Sequence, residues 1–71
     1  MKYTLIEGLY SIDGEIHTGY GIGYTEDGSL SFEDLTTDPI SVARLVNLCN
    51  NLDLSPIHLG DVVEDFLIES T

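Results

Sequence analysis

Carboxylates are the side chains of this chain whose number and spacing could do chemistry. Asp and Glu supply thirteen of them against only two basic residues, Lys2 and Arg44, for a net charge of −11 on 71 residues. Carboxylates can work as acid–base pairs, as ligands for hard cations, or collectively as a negative surface. An acid–base dyad needs a pocket that drives two pKa values apart, and a domain this small has little room for one. A hard-cation site among Glu26, Asp27, Glu33 and Asp34 lacks EF-hand spacing, and Gly28 there serves a turn. His58, with Asp61 at i+3 and Asp65 at i+7, could line one helix face. Zinc prefers more nitrogen or sulfur than one His and two carboxylates offer, so a solvated polar face is the ordinary reading. Ser11, Ser29, Ser31, Ser41 and Ser55 fall in turns and caps with no base at a suggestive spacing. The residues therefore point to no catalytic site, no metal site and no cofactor, and the chain reads as something other than an enzyme. A divalent-cation-dependent enzyme or sensor is the weakest of the functional readings.

The collective role is different. Asp61, Glu64, Asp65 and Glu69 recur at i+3 and i+4 steps along the wet side of a helix pattern, roughly 5–6 Å apart. Glu33, Asp34 and Asp38 lead into an earlier helix. Such rows repeat on the scale of the phosphates of a nucleic-acid strand, so they could occupy the basic cleft of a nucleic-acid-binding protein. A solvated face on a generally acidic protein is the plain alternative for any single acid. The field of the whole chain repels nucleic acid, anionic membrane surfaces and phosphorylated small molecules, and attracts basic protein surfaces.

The elements that must position these groups read as β-β-β-α-α. Residues 3–12 are rich in β-branched and aromatic side chains, and Asp13-Gly14 is a strong hairpin signal because both central positions of a type I′ turn need φ > 0. Residues 15–25 alternate, with Ile16, Thr18, Tyr20, Ile22 and Tyr24 on one side and Glu15, His17, Gly19, Gly21 and Gly23 on the other. A three-residue loop, Glu26-Asp27-Gly28, with Gly28 left-handed, leads to a short strand from Ser29 to Phe32. This register sets Ile12 opposite Glu15, Leu9 opposite Thr18, Leu5 opposite Ile22, Tyr3 opposite Tyr24, Leu30 opposite Tyr24 and Phe32 opposite Ile22. One face then gathers Tyr3, Leu5, Leu9, Ile16, Tyr20, Ile22, Tyr24, Leu30 and Phe32 as the core. Asp38-Pro39 and Ser55-Pro56 each place a capping side chain before a proline at the first helical position. The first helix carries the stripe Val42, Leu45, Val46, Cys49 and Leu52, and the second Leu59, Val62, Val63, Phe66 and Leu67. The expected fold class is α+β: a three-stranded antiparallel meander (3–34) followed by two antiparallel helices (39–52 and 56–69) on one sheet face, in a single domain over 1–71.

Two helices cover one side of a sheet, so the other side is a second lead. Ile6, Tyr10 and Ile12 lie there, across from Gly21, His17 and Glu15, and large apolar groups beside bare backbone make an interface strip. The alternatives are a covering segment or a register off by one. The run Gly19-Tyr20-Gly21-Ile22-Gly23 has the look of a phosphate loop, but no helix begins after it and no lysine accompanies it.

Cys49 is the single cysteine, so no internal disulfide forms, and its place on the helix stripe reads as a buried thiol. With no signal-peptide pattern after Met1 and no apolar run of membrane-spanning length, the expected location is the cytoplasm.

The segments Leu45-Val46-Asn47-Leu48-Cys49-Asn50, Leu54-Ser55-Pro56-Ile57-His58-Leu59 and Asp61-Val62-Val63-Glu64-Asp65-Phe66-Leu67 resemble the C-terminal half of a family of short acidic proteins. The Tyr3-x-Leu5-x-Glu7 segment and Tyr20-Gly21-Ile22 are similar in kind. That family consists of uncharacterised proteins of clostridial Firmicutes and their mobile elements, and the resemblance implies a cytoplasmic protein with no catalytic residues to carry over. Phage-borne inhibitors of bacterial defence systems share the size and charge. The sequence thus leads to a small acidic protein-binding domain that inhibits or regulates a basic, nucleic-acid-handling partner, without touching nucleic acid or membrane itself. The alternative is a homodimeric structural or adaptor module that joins through the Ile6/Tyr10/Ile12 face and whose charge serves solubility.

Overall fold

Asp13 and Gly14 adopt φ values of 53° and 82°, the left-handed pair that a two-residue hairpin turn demands. In the computed structural model, which describes residues 2–69, this turn joins strand β1 (Tyr3–Ile12) to strand β2 (Glu15–Tyr24). The register is unbroken, with Ile12 opposite Glu15, Leu9 opposite Thr18, Leu5 opposite Ile22 and Tyr3 opposite Tyr24, as expected from the turn. A register off by one is thereby excluded. Strand β3 (Asp27–Thr36) completes an antiparallel sheet in the order β1-β2-β3. Helix α1 (Pro39–Asn51), a 3-10 turn (Pro56–His58) and helix α2 (Leu59–Glu69) follow.

The β2–β3 side departs from the sequence reading in two places. Tyr24 pairs with Asp27 rather than Leu30, which leaves Thr25-Glu26 as the turn, and Gly28 is not left-handed. Thr25 explains this, because its N–H and hydroxyl both donate to the Lys2 carbonyl, at 2.8 and 3.0 Å, and hold the turn toward β1. Asp27 then folds back, accepting from the Ser29 N–H at 3.0 Å and the Ser29 hydroxyl at 2.7 Å. Phe32 does sit opposite Ile22, but Tyr20 pairs with Thr36, so three residues of β3 face Gly21 alone. Glu33 and Asp34 are thus a bulge within β3, with Asp34 at φ 53°, and not a lead-in to α1. The meander runs on to Thr36, past residue 34.

The helices cover the face expected. Val42, Leu45, Val46 and Cys49 of α1 pack with Leu59 and Val63 of α2 over Tyr3 and Ile22, and all eight are buried. Burial pushes the Cys49 thiol pKa up, consistent with an inert packing role. Leu5, Tyr20, Tyr24, Leu30 and Phe32 pack around this centre. Leu9 and Ile16 do not join it: they are 75% and 74% exposed. The reason is length. A ten-residue strand spans about 33 Å, whereas the 13 residues of α1 span about 20 Å, so the far end of the hairpin runs beyond the helices.

Asp38 caps α1 as its position before Pro39 implies, accepting from the Ile40 N–H at 3.0 Å and the Ser41 hydroxyl at 2.7 Å. Leu52, expected on the buried stripe, is the C-cap residue and is exposed. Ser55 makes no side-chain cap bond, and the α-helical part of the second helical segment starts at Leu59, not Pro56. The His58 N–H donates to the Ser55 carbonyl at 3.0 Å, an i−3 bond that makes the first turn after proline 3-10 in form.

Candidate protein-binding surfaces

The seven carboxylates expected to form one array separate into three groups. Asp61, Glu64, Asp65 and Glu69 are all exposed along α2. Among the described residues the contacts between basic and acidic side chains are Lys2 with Asp53 at 2.9 Å and His17 with Asp34 at 3.0 Å, so none of these four carboxylates is in one. The Lys2 pKa is raised, chiefly by its hydrogen bond to Asp53, which ties up one of the two basic side chains. Asp61 in the first turn suits the helix dipole, but Glu69 lies in the last turn, where negative charge opposes it, and no basic residue occupies that turn.

Asp38 is committed to its cap, and its pKa is lowered first by the Ser41 hydroxyl and then by the Ile40 N–H. Asp34 lies on the sheet face away from the helices. Its carboxylate accepts from His17 Nε2 at 3.0 and 3.2 Å, and it overlies Gly19 so closely that a Cβ there would collide with it. Of the β3 pair, only Glu33 is exposed.

The strip of Ile6, Tyr10 and Ile12 is built differently from a flat sticky face. The Tyr10 ring leans over Gly8 and Gly19, its centroid 5.9 Å from that of His17, and the Ile6 side chain lies over Gly23. Loss of hydration, then the charges of Glu33 and Asp34, raises the Tyr10 pKa. The Phe32 carbonyl occupies the place of a Gly21 side chain. The glycines thus serve to let this chain's own side chains and bulge close over the sheet. Ile6 and Tyr10 are half-buried, and Ile12 alone of the three is exposed, at the hairpin end on the sheet face opposite Leu9 and Ile16.

A surface that the sequence reading did not single out lies between the helices, a groove of about 530 Å³. From α1 it takes Ser41, Arg44, Leu45 and Leu48, and from α2 it takes Val62, Asp65, Phe66 and Glu69. Each set has the spacing i, i+3, i+4, i+7, so each helix presents a ridge two turns long. Leu45, Leu48, Val62 and Phe66 make an apolar floor. Leu48 was the available signal: an apolar residue standing outside the buried stripe of α1, and 50% exposed here.

Among the described residues no three His, Cys, Asp or Glu side chains gather as metal ligands would. No helix among them is long and apolar enough to cross a membrane. A family model described as a family of unknown function (DUF6514) matches residues 1–69. No curated protein and no solved structure matches the chain.

Proposed function

Because the chain belongs to the DUF6514 family of unknown function, its role must be argued from its surfaces, and we propose that it is an acidic protein-binding domain that inhibits or regulates a basic, nucleic-acid-handling partner. The observation that carries this reading is the α2 face, where Asp61, Glu64, Asp65 and Glu69 stand exposed and outside any ion pair among the described residues. Glu69 sits in the last turn, where the helix dipole disfavours it, so it is not there to stabilise the helix. Carboxylates at i+3 and i+4 steps steer a basic surface into contact and compete with phosphates for it. In its finer form the proposal is an inhibitor of nucleic-acid-mimic or anti-defence type, acting in the cytoplasm of clostridial Firmicutes or carried on their mobile elements. Affinity capture from a lysate of the source organism, at low and moderate salt with and without duplex DNA, tests it. A salt-sensitive basic partner that DNA displaces supports the reading, and capture that is indifferent to salt and DNA contradicts it.

One observation favours a second reading, self-association. Leu9 and Ile16, on the helix side of the sheet, are 75% and 74% exposed at the hairpin end that the helices leave uncovered. A homodimer would join there rather than through Ile6 and Tyr10, which are half-buried against their own sheet. Sedimentation of the wild type and of Leu9→Ser with Ile16→Ser distinguishes the readings: a dimer lost in the variant supports self-association, and a monomeric wild type removes it.

A further inference from the structure

We infer that the groove between α1 and α2 is a docking site for an amphipathic helix of the partner, with apolar residues at i, i+3 or i+4 and i+7 and Lys or Arg along one flank. The inference rests on the acidic-surface reading above and specifies where and in what form the partner binds.

Geometry comes first. Each bounding ridge covers seven residue steps, about 10 Å of helix axis, which matches two turns of a third helix lying in the groove. The walls are set by α1, which packs against all three strands, and by α2, which is seated on the core through buried Leu59 and Val63. Its floor is apolar, and Leu48 and Phe66 keep surface that a third helix would remove from water.

Charge fixes the flank. Asp65 and Glu69 line the α2 side, continuous with exposed Asp61 and Glu64, while Arg44 lines the α1 side. A docked helix therefore turns its basic residues toward α2 and a neutral or acidic residue toward Arg44. The net charge of −11 excludes an acidic helix as a favoured occupant.

The test uses a labelled, end-capped helical peptide of Leu, Ala and Lys with Leu at the stated spacing, read by fluorescence anisotropy and by amide shifts of the intact protein. Two controls accompany it: the same composition with Leu positions scrambled, and the patterned peptide with Glu in place of Lys. The patterned basic peptide should bind and shift α1 and α2 amides around Leu48 and Phe66, with the scrambled one on the order of tenfold weaker. Leu48→Gln and Leu48→Asp should each weaken the patterned peptide by about tenfold while leaving the circular dichroism unchanged. Leu48→Asp is informative because it adds negative charge, and so cannot weaken a complex held by charge alone. If the scrambled peptide binds as well, or Leu48→Asp binds as well as wild type, the groove inference falls and the acidic-partner reading stands. If neither basic peptide binds at low salt, both fall. If the Glu peptide binds as tightly as the Lys peptide, the groove is a helix site but the stated occupant is wrong.

Discussion

The Asn50 side-chain amide pairs with both main-chain groups of Tyr3, accepting from its N–H at 2.9 Å and donating to its carbonyl at 3.0 Å. A side chain of α1 thereby acts as one more residue of neighbouring strand at the start of β1, and locks helix to sheet across 47 positions of sequence. Asn50→Asp keeps the acceptor and loses the donor, and Asn50→Leu loses both. Stranding a part-buried carbonyl or N–H costs about 1–3 kcal/mol, so either variant should melt at least several degrees lower. Tyr3→Phe, which removes the 2.6 Å bond from the Tyr3 hydroxyl to the Leu54 carbonyl, should cost about 1 kcal/mol. Thermal denaturation followed by circular dichroism measures all three.

Gly21 and Gly28 should respond to alanine in opposite ways. A Cβ at Gly21 collides with the Phe32 carbonyl, which is backbone and belongs to the bulge that brings Asp34 to His17. Gly28 has open space around it and no left-handed φ. Gly21→Ala should cost at least about 2 kcal/mol, whereas Gly28→Ala should be neutral or stabilising by up to about 1 kcal/mol through the unfolded chain. Urea midpoints at fixed slope decide it.

Asp34 should behave as a structural group. Asn tolerates its left-handed φ of 53° and keeps its shape, so Asp34→Asn should fold and leave affinity for a basic partner little changed. Asp34→Val, β-branched at the same φ, should be destabilised by about 1–3 kcal/mol. A large affinity loss in Asp34→Asn, measured by calorimetry, would return this residue to the binding surface.

The cap of α1 sets an acid limit. The folded pKa of Asp38 lies below its ordinary value of 3.8, because the Ser41 hydroxyl and then the Ile40 N–H favour the charged form. Its contribution is therefore complete above pH 3.8 and is lost as pH falls below that value toward the depressed folded pKa. Ser41→Ala narrows the gap, so stability should fall less steeply on that acid limb than in wild type. Near pH 7 added salt should raise the melting midpoint by screening a net charge of −11. Melts across pH and salt check both signs.

The β1–β2 register, the Asp38 cap and the α1 stripe were legible because each follows from local chemistry: a turn needing two positive φ values, a cap before proline, a period of 3.6. The two bulges of β3 were not. The first depends on Thr25 reaching the Lys2 carbonyl and the second on Gly21 yielding space to a strand distant in sequence. Alternation puts Leu9 and Ile16 on the core face, but it says which face a residue takes, not how far a helix extends over it. The α2 acids were legible from spacing alone. The groove depends on how two helices diverge, and sequence carried only the stray apolar Leu48.

The most direct test of the account is the affinity of the captured basic partner for wild type and for the triple variant Asp61→Lys, Glu64→Lys, Asp65→Lys, at one low ionic strength. All three side chains are exposed, so the variant should keep its circular dichroism and fold. The account predicts that binding is abolished in this variant. Unchanged affinity in a folded triple variant would contradict it and leave the acidic face of α2 without a role in binding.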